Sequence, residues 1–166
     1  MKVYQKFVTY FLDAPTWEKR KDGPPLELFD RMTAEERRAA EEELLRIVSL
    51  RDNWPVMALG YLRSHKARDV LYELLPGAEG GMKVDIALAL WLIGRDENLV
   101  DIAVNASRTE ASPFSLINML YSLAQFGVPE TEERIVQLLD HKDELVAYNA
   151  KQALRQLRKK RSPAES

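Results

Sequence analysis

The stretch VDIALALWLIG, residues 84–94, carries one charge, Asp85, and ends in a glycine. Its reading decides the fold, because it suits a buried strand, a fragment of membrane helix or a core helix. Length removes the membrane option: a spanning helix needs about 18–20 apolar residues, and charged segments flank this stretch. Comparison with the rest of the chain separates the other two. MALGYL (57–62), LALWLI (88–93), YSLAQF (121–126) and QALRQL (152–157) share one register. Each has a small residue second (Ala58, Ala89, Ser122, Ala153) and leucine third (Leu59, Leu90, Leu123, Leu154). Each ends in a large apolar residue: Leu62, Ile93, Phe126 and Leu157.

The register continues beyond these segments. Leu71, Ile102 and Ile135 stand at one distance from the first three leucines, and Leu75, Ala106 and Leu139 follow four residues later. Apolar residues three and four apart make a helical stripe, not the alternation of a strand. The unit is therefore a helix pair of about 30 residues, a length at which stacked units share a core that none can bury alone. Start signals agree. Thr33 with Glu36 reads as a capping box, and Ser112 before Pro113 as an N-cap with proline at the first helical position. Pro129 opens PETEERIVQLL, Asp96 precedes ENLVDIAV and Asp143 precedes ELVAYNAKQAL.

VAYNAKQALRQL (146–157) and MKVDIALALWLIG (82–94) resemble the second helix of the HEAT-like repeat family, in the short form of phycobilisome-lyase-type proteins. That helix reads approximately V-R-x-x-A-x-x-A-L-x-x-I/L-G. Here Ala147, Lys83 and Leu116 occupy the arginine position in three units, and Pro55 replaces the middle alanine in the first. The resemblance spans roughly residues 34–158. It implies an all-α fold, a right-handed α-α superhelix: a HEAT-like solenoid of about three and a half helix-pair repeats with an extra N-terminal helix. The whole chain, 1–166, reads as a single domain. Residues 1–32 supply the N-terminal helix and a loop, 33–158 the repeats and 159–166 a basic tail.

Composition narrows the function. Hydrophobic residues make up 46% and charged residues 30%, a globular balance. Cysteine is absent, which removes disulfides, thiolate zinc sites and cysteine nucleophiles. The net charge of −2 offers no global field for nucleic acid or an anionic membrane. Gln5 and Lys6 interrupt any signal-peptide core, so a cytoplasmic protein is expected. No phosphate loop, nucleophile elbow or zinc-helix motif is present. His65 and His141 stand alone near predicted turns, and no cofactor or metal is expected.

What remains is a surface. In HEAT-like solenoids the second helix of each pair lines the concave face, as the resemblance implies. Counting from the core register puts Asn53, Met57, Val84, Leu88, Trp91, Ile117, Tyr121, Ala124, Tyr148, Gln152 and Arg155 on that face. A column one position away holds Trp54, Asp85, Asn118 and Asn149. Aromatic residues are favoured interface anchors, so Trp91, Tyr121 and Tyr148 are the expected anchors. The polar column would then set register on a protein partner. This points to a non-enzymatic adaptor or inhibitor, with a toxin-neutralising immunity protein as one form. The alternative is a lyase-like or chaperone-like binder of a hydrophobic small molecule such as a tetrapyrrole. The N-terminal helix, with Phe7, Tyr10 and Phe11, competes for the same apolar stripe, and Trp17 is expected to anchor the loop that follows.

Overall fold

The computed structural model describes residues 2–161; Met1 and the last five residues of the expected basic tail lie outside them. The described residues are helical, with no strand beyond an isolated bridge between Ser49 and Asp52. The helices are α1 (Lys2–Phe7, continuing as a π-helical turn Val8–Leu12), α2 (Trp17–Arg20), α3 (Ala34–Ile47), α4 (Asn53–Tyr61) and α5 (Arg68–Leu74). They continue as α6 (Gly80–Gly94), α7 (Asn98–Thr109), α8 (Pro113–Phe126), α9 (Pro129–Leu138) and α10 (Glu144–Arg161). A 3-10 segment, Leu26–Arg31, precedes α3.

Local chemistry sets most helix starts. Thr33 accepts from the Glu36 N–H (3.1 Å) and Glu36 accepts from the Thr33 N–H (3.0 Å), the reciprocal pair that a capping box requires. Ser112 accepts from the Ser115 N–H with Pro113 behind it. Asp143 accepts from the N–H groups of Leu145 and Val146. Asp96 departs from expectation. Helix α7 begins after Glu97 without a side-chain cap, and the Asp96 carboxylate accepts from the Tyr72 hydroxyl and the Arg68 guanidinium instead. Those partners lie on α5, a contact no local pattern encodes.

The helices that carry the shared register pack as a row: α4 on α6, α6 on α8 and α8 on α10. Behind them, α3 packs on α4, α5 on α6, α7 on α6 and α8, and α9 on α8 and α10. The aligned leucines Leu59, Leu90, Leu123 and Leu154 are all buried, each contributing about 1.5–3 kcal/mol of hydrophobic stabilisation. The small column lets backbones approach. Between α4 and α6 the backbones approach closely at Gly60, where an added Cβ would sit 2.8 Å from the Ala89 Cα.

The N-terminal segment caps the α3–α4 end. Phe7 and Phe11 pack on each other and on Phe29, and Phe11 reaches Trp54 with ring centroids 5.4 Å apart. Trp17 does not anchor the loop: it is 76% exposed. Arg20 does, by pairing with Asp52 and lying over the Trp54 ring at 4.2 Å.

Candidate functional site

A groove of about 560 Å³ opens along the row of helices. Helix α4 contributes Asn53 and Met57, α6 contributes Met82 and Asp85, and α8 contributes Asn118, Tyr121, Ser122 and Gln125. The loop after α2 forms a further wall through Lys21, Gly23 and Pro24, together with Arg20 and Arg51. A cavity of about 40 Å³ shares Met57, Asp85, Ser122 and Gln125 with this groove and is closed by Leu26, Leu88 and Leu92.

Asp85 joins the two spaces. Its carboxylate accepts from the Asn53 amide of α4 at 3.1 Å and from the Ser122 hydroxyl of α8 at 3.1 Å. Burial pushes the Asp85 carboxyl above its ordinary range, and the two hydrogen bonds offset only part of that push. At the rim, Asp52 behaves the other way. Burial raises it too, but the Arg20 guanidinium and the Trp54 N–H outweigh burial and hold it below the usual range. The two carboxylates differ because one has a cation and the other has only neutral donors.

On α6 the expected face does not meet the groove, which Asp85, one position further on, lines instead. Val84 is fully buried, and Leu88 and Trp91 are buried as well. Helix α6 has α4 on one side, α8 on the other and α5 and α7 behind, so those three residues meet neighbours. Trp91 packs against Phe126 at 5.2 Å and lies under the Arg95 guanidinium at 4.0 Å. Trp54, placed in the polar column, is buried between Phe11 and Arg20 with only an edge in the groove. Ala124 is buried and Ile117 packs against the core. The N-terminal helix thus covers Trp54, whereas Val84, Leu88 and Trp91 are covered by the neighbouring helices.

The remaining expected residues divide in two. Asn53, Met57, Asp85, Asn118 and Tyr121 line the groove. Tyr148, Asn149, Gln152 and Arg155 lie on α10, outside the groove lining. Tyr148 is 61% exposed. The Tyr121 hydroxyl donates to Asn149 Oδ1 at 2.5 Å, and the Asn149 amide donates to the Leu145 carbonyl at 2.8 Å. Burial, with a smaller effect of nearby Tyr148, raises the Tyr121 hydroxyl above its ordinary pKa.

Sequence reasoning passed over Ser122 and Gln125 as groove residues. Ser122 carries a legible signal: it is the one hydroxyl in a column otherwise filled by Ala58, Ala89 and Ala153. Arg20, Lys21 and Arg51 carry none, since their place depends on how the loop folds back. The basic end of α10 serves its neighbour. Lys160 donates to the Gln125 carbonyl and Arg161 to the Gly127 carbonyl, satisfying the C-terminal end of α8, where cations are favoured.

The groove presents hydrogen-bonding side chains and one carboxylate. Among the described residues no group of three or more His, Cys, Asp and Glu is placed to hold a metal ion. His65 is exposed, and His141 Nδ1 accepts from the Asp143 N–H at 3.0 Å. Among the described residues no helix is long and apolar enough to cross a membrane. The fold and groove define a class: an all-helical protein with a polar groove across adjacent helices. Comparison with family models, curated proteins and solved structures finds no match for this chain.

Proposed function

We propose that this chain is a non-enzymatic protein-interaction module that receives a segment of another protein in the groove across α4, α6 and α8. The proposed architecture is a right-handed HEAT-like solenoid of about three and a half helix pairs. The shared register of the four row-forming helices and their side-by-side packing support it. An adaptor or an inhibitor fits this design, and a toxin-neutralising immunity protein is one concrete form.

The observation that carries the reading is the lining of the groove. Asn53, Asn118, Ser122 and Gln125 present donors and acceptors beside apolar Met57 and Met82. That mixture suits a polypeptide, whose backbone needs hydrogen-bond partners when it is taken from water. A tetrapyrrole would call for a predominantly apolar pocket. Tyr121 and exposed Tyr148 remain the aromatic anchors, while Trp54 and Trp91 support the face from within.

Site-specific photo-crosslinking in the native host tests the reading. A compact diazirine amino acid, no larger than leucine, in place of Asn118 should give a stoichiometric protein adduct. The same group in place of Val136, exposed on α9 outside the groove, should not. A partner captured at 136 and never at 118 would refute the groove.

A further inference from the structure

The one carboxylate in the groove lining, Asp85, has neutral hydrogen-bond partners. Asp85 is half-buried on α6 and accepts only from Asn53 and Ser122. Among the described residues no cation pairs with it. Arg20, also in the groove wall, is committed to Asp52. Lys21 and Arg51 also line the groove, and neither forms an ion pair with Asp85. A buried carboxylate with neutral partners costs stability that a cation recovers.

The space beside Asp85 has a matching shape. The 40 Å³ cavity next to it holds about three waters, at the roughly 10–15 Å³ each requires by this measure. Its walls are largely apolar: Leu26, Met57, Leu88 and Leu92. An apolar hollow with a carboxylate in its wall complements a side chain with an aliphatic stem and a cationic end. Asn53 and Ser122 hold the carboxylate in place while each oxygen keeps a further lone pair for an incoming donor.

We infer that Asp85 selects a lysine or arginine side chain of the partner segment, with the stem against Met57, Leu88 and Leu92 and the charge on the carboxylate. The inference rests on the groove being a docking site and goes further by fixing the chemistry at its centre. The competing role for Asp85 is internal: a polar tie among α4, α6 and α8 that fixes their register.

Random peptides displayed on phage and selected on the purified full chain distinguish these roles. Selected sequences are synthesised, and their affinities measured by fluorescence anisotropy on wild type, Asp85→Asn and the groove-blocking Asn118→Trp. Peptides that lose binding to Asn118→Trp should carry a lysine or arginine. Replacing that residue by norleucine should weaken binding to wild type by about tenfold or more, the range of a charge-assisted hydrogen bond. On Asp85→Asn the same replacement should change little. The wild-type comparison stands even where the variant folds poorly. Groove-dependent peptides without a basic residue, or an equal norleucine effect on both proteins, overturn the inference and leave the groove standing. A selection that yields no groove-dependent peptide overturns both.

Discussion

Helices α6 and α10 carry one register and meet different surroundings. Both place a small residue, a leucine and a large apolar residue at equivalent positions, and those positions are buried in both. Around them the helices diverge. In α6 nearly every side chain from Val84 to Ile93 is buried, because α4, α8, α5 and α7 surround it. In α10 only Val146, Ala150, Ala153, Leu154 and Leu157 are buried, because its packing is against α8 and α9. The difference teaches that the register fixes the shared inward face, while the number of neighbours fixes everything else.

The largest test of that comparison is Trp91→Ala. If Trp91 is packed against Phe126 within the row, its loss should cost about 3–5 kcal/mol, as for other large aromatic truncations in cores. Urea unfolding followed by circular dichroism measures it, and a cost below about 0.5 kcal/mol, the usual range for surface substitutions, would put Trp91 back on an open face. Next is Gly60→Ala, which forces a methyl group against Ala89. Overpacking of this kind costs about 1–3 kcal/mol, so the unfolding midpoint should fall without a change in slope.

Asp85→Asn should act in the opposite direction and more modestly. The folded-state pKa of Asp85 is raised, so the unfolded chain ionises first. The wild type is then at its most favourable, with respect to this group, below the ordinary carboxyl range. It loses stability as pH climbs from about 4 to the raised value. The variant lacks that loss, so its advantage should open over this window and level off above it. Paired thermal melts from acidic to neutral pH measure the gap. A constant gap would mean that Asp85 is not the source. The smallest effect is expected at Tyr148→Ala on α10, within about 0.5 kcal/mol for an exposed position. A loss like that of Trp91 would erase the contrast between the two helices.

The helical class, the core register and the starts of α3, α8, α9 and α10 were legible in the sequence because they depend on residues a few positions apart. Thr33 with Glu36, Ser112 with Pro113 and the column Leu59, Leu90, Leu123 are all local patterns. The candidate site was legible in part. Asp85 stands out as the lone charge of an apolar stretch, and Asn118 and Tyr121, expected on the open face, line the groove. Val84, Leu88 and Trp91 were misplaced because a single helix cannot report how many others surround it. Trp54 was misplaced because Phe11, far away in sequence, folds back onto it. Asp96 failed as a cap for the same reason: its partners Tyr72 and Arg68 come from another helix.

The contact of Gly60 with Ala89 has a mechanical consequence for the groove. On α4, Gly60 lies seven residues beyond Asn53, about 10 Å along the axis at 1.5 Å per residue. On α6, Ala89 lies about 6 Å beyond Asp85 by the same rise. The point where the two backbones touch is therefore a fulcrum, and the hydrogen bond from Asn53 to Asp85 sits at the end of the lever. A methyl group inserted at the fulcrum spreads the arms, so a packing change remote from the carboxylate alters what the carboxylate can hold. Residues 60 and 89 should accordingly behave as a coupled pair, with Ala89→Gly relieving only part of the strain in Gly60→Ala, because the Ala89 Cα stays 2.8 Å from the added methyl group.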